Sequence, residues 1–250
     1  MSRITVVLFA ALMCLSASVS AAGIAGEAGA GLSYQPHDPS GSRYEVRPVP
    51  YLDLDWGDVS LGTDDGLTWN ALKANGFSAG PFVNYLPGRT ANGELQGLHD
   101  VPDMGEVGGF VQYAPADFWR VFASVGQAVG ARGGVLGRVG GEVGYPVGGG
   151  VIGSSNVTAH FANARQNQAF FGVNGDESLA SGIRPYNAGG GLQNVALTQS
   201  FEFPLAPHWS LLTSASWIHL TGSAADSSLV KQVGESNQGE VQAAIAYKFN

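Results

Sequence analysis

The sequence predicts an all-β fold: a transmembrane antiparallel β-barrel of 12 strands, with 10 as the alternative, after a cleaved signal peptide. Three observations carry this expectation. Charged residues make up only 13% of the chain and glycines number 37 of 250, about twice the usual share of glycine. Apolar residues alternate with polar ones over long stretches instead of clustering. Short and long connections alternate along the chain, as they do in barrels with tight periplasmic turns and longer external loops. Disorder is excluded, because it needs low hydrophobicity and high net charge. A helical bundle is excluded too, since each interior glycine costs about 1 kcal/mol.

The chain opens with Met1-Ser2-Arg3, a short basic start, and runs through an apolar stretch from Ile4 to Val19. Val19-Ser20-Ala21 places small residues before a cut after Ala21, the pattern of a secretory signal peptide. At about 16 residues the stretch falls short of the roughly 20 needed to span a bilayer. Residues 1–21 are therefore expected to be a signal peptide and residues 22–250 a single outer-membrane barrel domain. Cys14, the one cysteine, lies in the leader, so disulfide, thiol and Cys-ligated metal chemistry are not expected afterwards. The net charge is −8 with no basic run, and no nucleic-acid partner is expected.

The strands follow in order. In Tyr44 to Trp56 the even positions Tyr44, Val46, Pro48, Pro50, Leu52, Leu54 and Trp56 are apolar or aromatic. The odd positions include Glu45, Arg47, Asp53 and Asp55. Val59 to Lys73 reads as a hairpin kinked at Asp64-Asp65-Gly66, which gives 12 strands; read as a loop, it gives 10. Phe77, Ala79, Pro81, Val83 and Tyr85 form the next apolar face. Val135, Val139, Val143 and Tyr145 oppose Arg138, Gly140 and Glu142. Val195, Leu197, Phe201 and Phe203 oppose Thr198, Ser200 and Glu202. Val241, Ala243, Ile245, Tyr247 and Phe249 oppose Glu240, Gln242 and Lys248. A soluble sandwich shows the same alternation, but these segments run to about 12 to 14 residues where soluble strands usually have about 5 or 6. Aromatics near segment ends, such as Trp56, Trp119, Trp209 and Tyr247, suit interfacial girdles.

Tight turns are expected near Gly57-Asp58, Ala74-Asn75, Pro115-Ala116-Asp117, Pro146 to Gly149 and Pro204 to Pro207. Longer loops are expected at Pro36 to Arg43, Pro87 to Asp103, Asn163 to Asn187 and Thr221 to Asn237, with one helical turn capped by Asn174. Tyr247 and Phe249 close the chain as an aromatic assembly signal, followed by Asn250. The membrane lipid and the barrel assembly machinery are thus expected partners.

A set of motifs in fixed order resembles the MipA/OmpV family of MltA-interacting outer-membrane proteins. It begins with Arg47-Pro48-Val49-Pro50-Tyr51-Leu52-Asp53 and Trp56-Gly57-Asp58. It continues through Gly76-Phe77-Ser78-Ala79-Gly80-Pro81, Gly97-Leu98-His99-Asp100-Val101 and Glu106-Val107-Gly108-Gly109-Phe110-Val111. It ends with Ser181-Gly182-Ile183-Arg184-Pro185-Tyr186, Pro207-His208-Trp209-Ser210-Leu211 and Leu220-Thr221-Gly222. The resemblance implies an outer-membrane barrel. For one branch it implies a scaffold that links a murein transglycosylase to a penicillin-binding murein synthase; other members resemble porin-like surface proteins.

The residues themselves offer little chemistry. No catalytic residue, cofactor site or metal site is expected. His99, Asp100 and Asp103 share a loop suited to a cation, but read more simply as a solvated acidic loop. The Gly-rich stretch from Gly133 to Gly153 lacks the Lys and Ser/Thr of a phosphate-binding loop. His219-Leu220-Thr221 has the outline of an outer-membrane lipid hydrolase, with Thr in place of Ser and no orienting partner placed by the sequence. The lumen-facing charges are expected to be Glu45, Arg47, Asp53, Asp55, Arg138, Glu142, Glu202, Glu240 and Lys248. Opposite charges among them would pair across an interior narrower than that of a 16-stranded porin. A closed barrel or a narrow channel for small solutes is expected over a wide pore.

Overall fold

In the computed structural model, which describes residues 23–41, 43–130 and 132–249, each alternating segment is an antiparallel strand. The expected leader and Asn250 lie outside the described residues. The strands are β1 (Ala25–Pro36), β2 (Tyr44–Trp56), β3 (Val59–Gly62), β4 (Gly66–Trp69), β5 (Leu72–Ala74), β6 (Phe77–Leu86) and β7 (Met104–Ala116). They continue as β8 (Trp119–Val129), β9 (Val135–Gly148), β10 (Val151–Ala162), β11 (Gly191–Ala206), β12 (Trp209–Leu220) and β13 (Asn237–Phe249). β4 and β5 lie successively along β6 and act as one strand, broken at Asn70–Ala71 opposite Gly80 and Pro81. The wall is therefore a closed antiparallel barrel of 12 strands. β1 closes it against β13, with Gly26 opposite Phe249 and Tyr34 opposite Val241.

The wall is apolar outside. On β13, Val241, Ile245, Tyr247 and Phe249 are exposed while Ala244 and Ala246 are buried. Exposed valines at 46, 83, 107, 111, 121, 125, 139 and 157 continue the row around the barrel. Such a surface is stable in lipid, and pairing of first and last strands keeps nearly all backbone groups of the wall satisfied there. One outward polar group, Tyr145, Ser155 and Gln199, bonds within itself, Ser155 Oγ to Gln199 Oε1 at 2.7 Å and the Tyr145 hydroxyl to the same oxygen at 3.0 Å. Aromatics crowd the short-turn end: Phe77 on Tyr113 (4.3 Å between ring centroids), Tyr113 on Trp119 (5.7 Å), and Trp209 on Tyr247 (5.1 Å).

At that end the connections are two-residue turns at Gly57-Asp58, Asn75-Gly76, Asp117-Phe118, Gly149-Gly150 and Pro207-His208. Three prolines expected to make turns instead sit inside strands: Pro115 in β7, Pro146 in β9 and Pro204 in β11. Ladder irregularities lie between Tyr113 and Ala116, between Val151 and Ile152 (Ile152 facing Pro146), and between Pro204 and Ala206. A proline has no N–H for the ladder, so it settles where the register slips.

The opposite end carries the long loops. They hold a 3-10 turn (Gly93–Leu95) and four helices: α1 (Ala164–Phe171), α2 (Gly175–Ser181), α3 (Gly222–Ala225) and α4 (Ser228–Val233). Asn174 caps α2, accepting from the Glu177 N–H at 2.9 Å, while the Glu177 carboxylate accepts from the Asn174 N–H at 2.8 Å. This is a reciprocal capping box.

Candidate functional site

The side chains with chemistry lie in two places, on the strand face opposite the apolar row and in the loop cap above it. Inward glycines shape the first. A Cβ on Gly108 would lie 2.7 Å from the Phe82 ring, and one on Gly140 would lie 2.6 Å from the Phe122 ring. Bare backbone at these positions lets the two rings lie against the wall. Arg138 rests over Phe82 (5.6 Å) and Arg120 over Phe122 (5.2 Å), a stacking that suits guanidinium.

These arginines bind the tip of the β3–β4 hairpin. Arg120 Nε donates to Glu142 at 2.9 Å, and its Nη1 donates to Asp65 at 3.2 Å and to Gln112 at 3.3 Å. Arg138 Nη1 donates to the Asp64 carbonyl at 3.2 Å, and its Nη2 lies 3.7 Å from Glu106. Asn84 Nδ2 donates to the same Asp64 carbonyl at 3.0 Å. β8 and β9 are not neighbours of β3 and β4 in the sheet, so these contacts cross the interior. The acidic turn is thereby folded inward.

The other charges singled out by alternation are spread around the wall. Glu45 pairs with Arg47 and with His37 Nδ1 at 2.9 Å, and Arg47 also donates to the His37 carbonyl at 2.9 Å. Asp55 accepts from the Ser60 hydroxyl, Glu202 from Ser210 (2.8 Å) and Glu240 from Ser33 (2.8 Å). Lys248 lies 3.7 Å from Glu27. Asp53 is exposed and faces Glu27 along the β1–β2 ladder. The structure thus gathers Arg138 and Glu142 into one cross-barrel network and leaves the rest in local pairs. Sequence reasoning does not single out Arg120, Asn84 or Glu106 as lumen groups, and it marks Asp64 and Asp65 only as the kink of a hairpin. Arg120 carried a readable signal, a charge at an inward position between Trp119 and Val121.

The cap has its own hydrophobic core. Leu95, Leu98, Val173, Ile183 and Leu229 form one buried cluster; Phe170, Phe171, Leu220, Ala224 and Val230 belong to another with Val101 and Met104. Phe171 and Leu95 are fully buried. Hydrogen bonds tie the loops together. Arg89 Nη1 donates to the Phe170 carbonyl (2.6 Å), the Ser227 hydroxyl to the Phe171 carbonyl (2.6 Å), the Tyr186 hydroxyl to the Ser223 carbonyl (2.9 Å) and Gln238 Nε2 to the Pro39 carbonyl (3.0 Å).

His99, Asp100 and Asp103 brace this cap. Asp100 accepts from the Ala91 N–H (2.7 Å) and Asp103 from the Gly88 N–H (2.8 Å). His99 Nδ1 meets Glu177, and its Nε2 lies 2.6 Å from Arg132 Nη1. That geometry fits a neutral ring, with Nδ1–H donating and Nε2 accepting. Burial, then the Arg132 and Arg89 guanidiniums, hold the imidazole below its ordinary value. Among the described residues no three carboxylate, His or Cys groups gather at metal-binding distance.

His219 sits on the outer face, stacked on Trp217 at 5.6 Å, with its Nδ1 2.8 Å from Asn237 Oδ1. The structure thus supplies the orienting amide that the sequence did not place. The hydroxyl is aimed elsewhere: Thr221 Oγ1 donates to the Leu192 carbonyl at 2.9 Å. A nucleophile needs its hydroxyl on the imidazole, and this one is spent on the main chain.

Among solved structures the chain is similar in fold to the NanC porin, with a TM-score of 0.52 at 7% identity, covering 90% of this chain and 100% of that one. An anion-selective porin from Comamonas acidovorans matches with a TM-score of 0.40 at 11% identity, over 90% of this chain and 98% of that one. Comparison with curated proteins found no match. The family model described as MltA-interacting protein MipA matches residues 28–249, from within β1 to the end of β13, and the chain belongs to that family.

Proposed function

We propose that this protein is a non-catalytic scaffold of the outer membrane, holding a lytic murein transglycosylase and a penicillin-binding murein synthase together at its periplasmic face. The carrying observation is the doubly obstructed axis. The Asp64–Asp65 turn is pinned across the interior by Arg120 and Arg138, and a cap with its own core covers the long-loop end. A barrel closed in this way has little use as a general pore. The family's description names interaction with MltA, which supports the murein partner. Two-residue turns leave the periplasmic end a shallow rim, on which Phe118, Val147 and Leu205 are exposed. An enzyme would dock on that rim.

The test is affinity capture of the protein from native outer membranes, with mass spectrometry of what accompanies it. Murein hydrolases and synthases among the partners support scaffolding. A second reading, a narrow channel, draws support from exposed Asp53 and Asp55 in the short-turn half, an acidic lining that favours cations. Capture without murein enzymes, together with cation flux into liposomes, would replace the scaffold by that channel.

A further inference from the structure

The wall has a gap. β2 pairs with β1 along its whole length, but with β3 only from Asp53 to Trp56. One more rung joins Leu52 to Thr63. Above it, residues 44 to 51 of β2 have no strand on their second edge. On the far side β6 meets β4 only at Phe82 and Val83, and Asn84 to Leu86 pair with β7 alone. The hairpin that would fill this space is short, and its tip bends into the interior. Higher up, Arg43 bonds Asn92 and bridges the two sides. The gap is thus a window in the long-loop half of the wall, with the Asp64–Asp65 turn as its sill.

An open edge in lipid costs several kcal/mol per unsatisfied group, and this one is prepared for it. The Leu52 N–H points away from β1, so even-numbered residues of β2 aim their donors at the gap. Two of these are Pro48 and Pro50, which have no donor. On the other lip the Tyr85 N–H is taken by its neighbour Asn84 Oδ1 at 2.8 Å, and Pro87 follows with no N–H. A partner strand cannot complete a ladder on an edge so stripped. The outward lip is Val46, Pro48, Pro50 and Tyr85, all exposed. It lies below the stacked Tyr34–Tyr44 pair (5.3 Å), at the depth of acyl chains. Behind it stand Arg47 with Glu45, Glu240 bonded to Ser33, and the acidic Asp64–Asp65 turn, charges of both signs.

We propose that this window is a lateral portal through which the head group of a zwitterionic phospholipid enters the lumen while its acyl chains stay in the bilayer. Arg47 faces the phosphate, and Glu240, with the acidic turn below it, faces the ammonium. The cap bars the axial route from outside, so the membrane itself is the source of the ligand.

The test uses single thiols in a Cys14→Ser background, reconstituted in phospholipid vesicles that contain a phosphatidylethanolamine with a maleimide on its head group. Val49→Cys places a thiol on the inward face of the open lip; Ser124→Cys places one on the inward face of the unbroken wall. Each rate is normalised to that with soluble N-ethylmaleimide, and gel mobility before and after heating confirms the fold. The lipid-borne reagent is expected to modify Val49→Cys at least about tenfold faster than Ser124→Cys, since a continuous wall excludes it. Equal normalised rates, or soluble labelling of Val49→Cys with no lipid adduct, overturn the portal. If Val49→Cys does not fold, Tyr51→Cys on the same inward face reports the same outcomes.

Discussion

Thr63 is bonded twice to Leu52: its N–H donates to the Leu52 carbonyl at 2.9 Å, and its hydroxyl accepts from the Leu52 N–H at 2.7 Å. The side chain does the work of the next strand residue, which the turn has removed. Thr63→Val keeps the shape and strands a donor at lipid depth, at about 1–3 kcal/mol; Thr63→Ser keeps the bond. Urea unfolding of the barrel in vesicles, followed by gel mobility, is expected to separate the two variants. A valine variant as stable as wild type would deny the hydroxyl this role.

The two faces of β13 are expected to respond oppositely. Ile245 is exposed on the lipid side, and Ile245→Arg is expected to cost about 2–4 kcal/mol near the midplane. Ala243→Leu adds apolar surface on the same side and is tolerated. Ala244 is buried opposite Gly31, where a Cβ would lie 2.6 Å from its own Cβ. Ala244→Leu is therefore expected to block closure, read as loss of the folded band on unheated gels.

Acid should loosen the cap. The unfolded chain protonates His99 near its ordinary value of 6.5, whereas the folded ring, between Arg132 and Glu177 and near Arg89 and Asp100, stays neutral to lower pH. The unfolded state then binds more protons, so docking is fully stable above about 6.5 and weakens as pH falls below it. Hydrogen exchange of the Leu95 and Leu98 amides, corrected for intrinsic rates, is expected to quicken between about pH 7 and pH 5. His99→Gln is expected to flatten that dependence.

Assembly is expected to depend on the terminal aromatics. Tyr247 and Phe249 contact edge to face at 5.3 Å on the outer surface. Removing Phe249 with Asn250 should slow folding into the membrane more than removing Asn250 alone; equal delays would shift the signal to the last residue.

No lipid hydrolysis is expected. With Thr221 bonded to Leu192, refolded protein should release no fatty acid from phospholipid micelles, and His219→Ala should change nothing. Turnover that disappears in that variant would install the enzyme reading.

Alternation made the wall legible, because period two is a local property and runs unbroken through segments such as Tyr44–Trp56 and Val241–Phe249. Asn174 was legible as a cap because the capping box spans only four residues. Asn163 also caps its helix, α1, accepting from the Gln166 N–H at 3.0 Å without a reciprocal bond, but that helix has no clear apolar stripe to draw attention. The Arg120–Asp65 contact joins residues 55 apart, and no local pattern tells which strands face each other across a lumen. Pro48 and Pro50 were visible as members of an apolar row. What matters about them is a missing N–H, and its meaning depends on a neighbour that the sequence does not place.

The β1–β13 pairing sets Gly26 beside Phe249, so the wall is a ring in which the joint between β1 and β13 is one seam among the others. A permuted chain that joins Phe249 to Gly26 through a short linker and opens at Gly149-Gly150 would carry the same rungs in the same register. It would differ in which strand emerges last from synthesis. If the permuted ring forms but fails to insert in cells, the aromatic edge of β13 in last place is an address read by the assembly machinery, and the architecture itself is indifferent to where it begins.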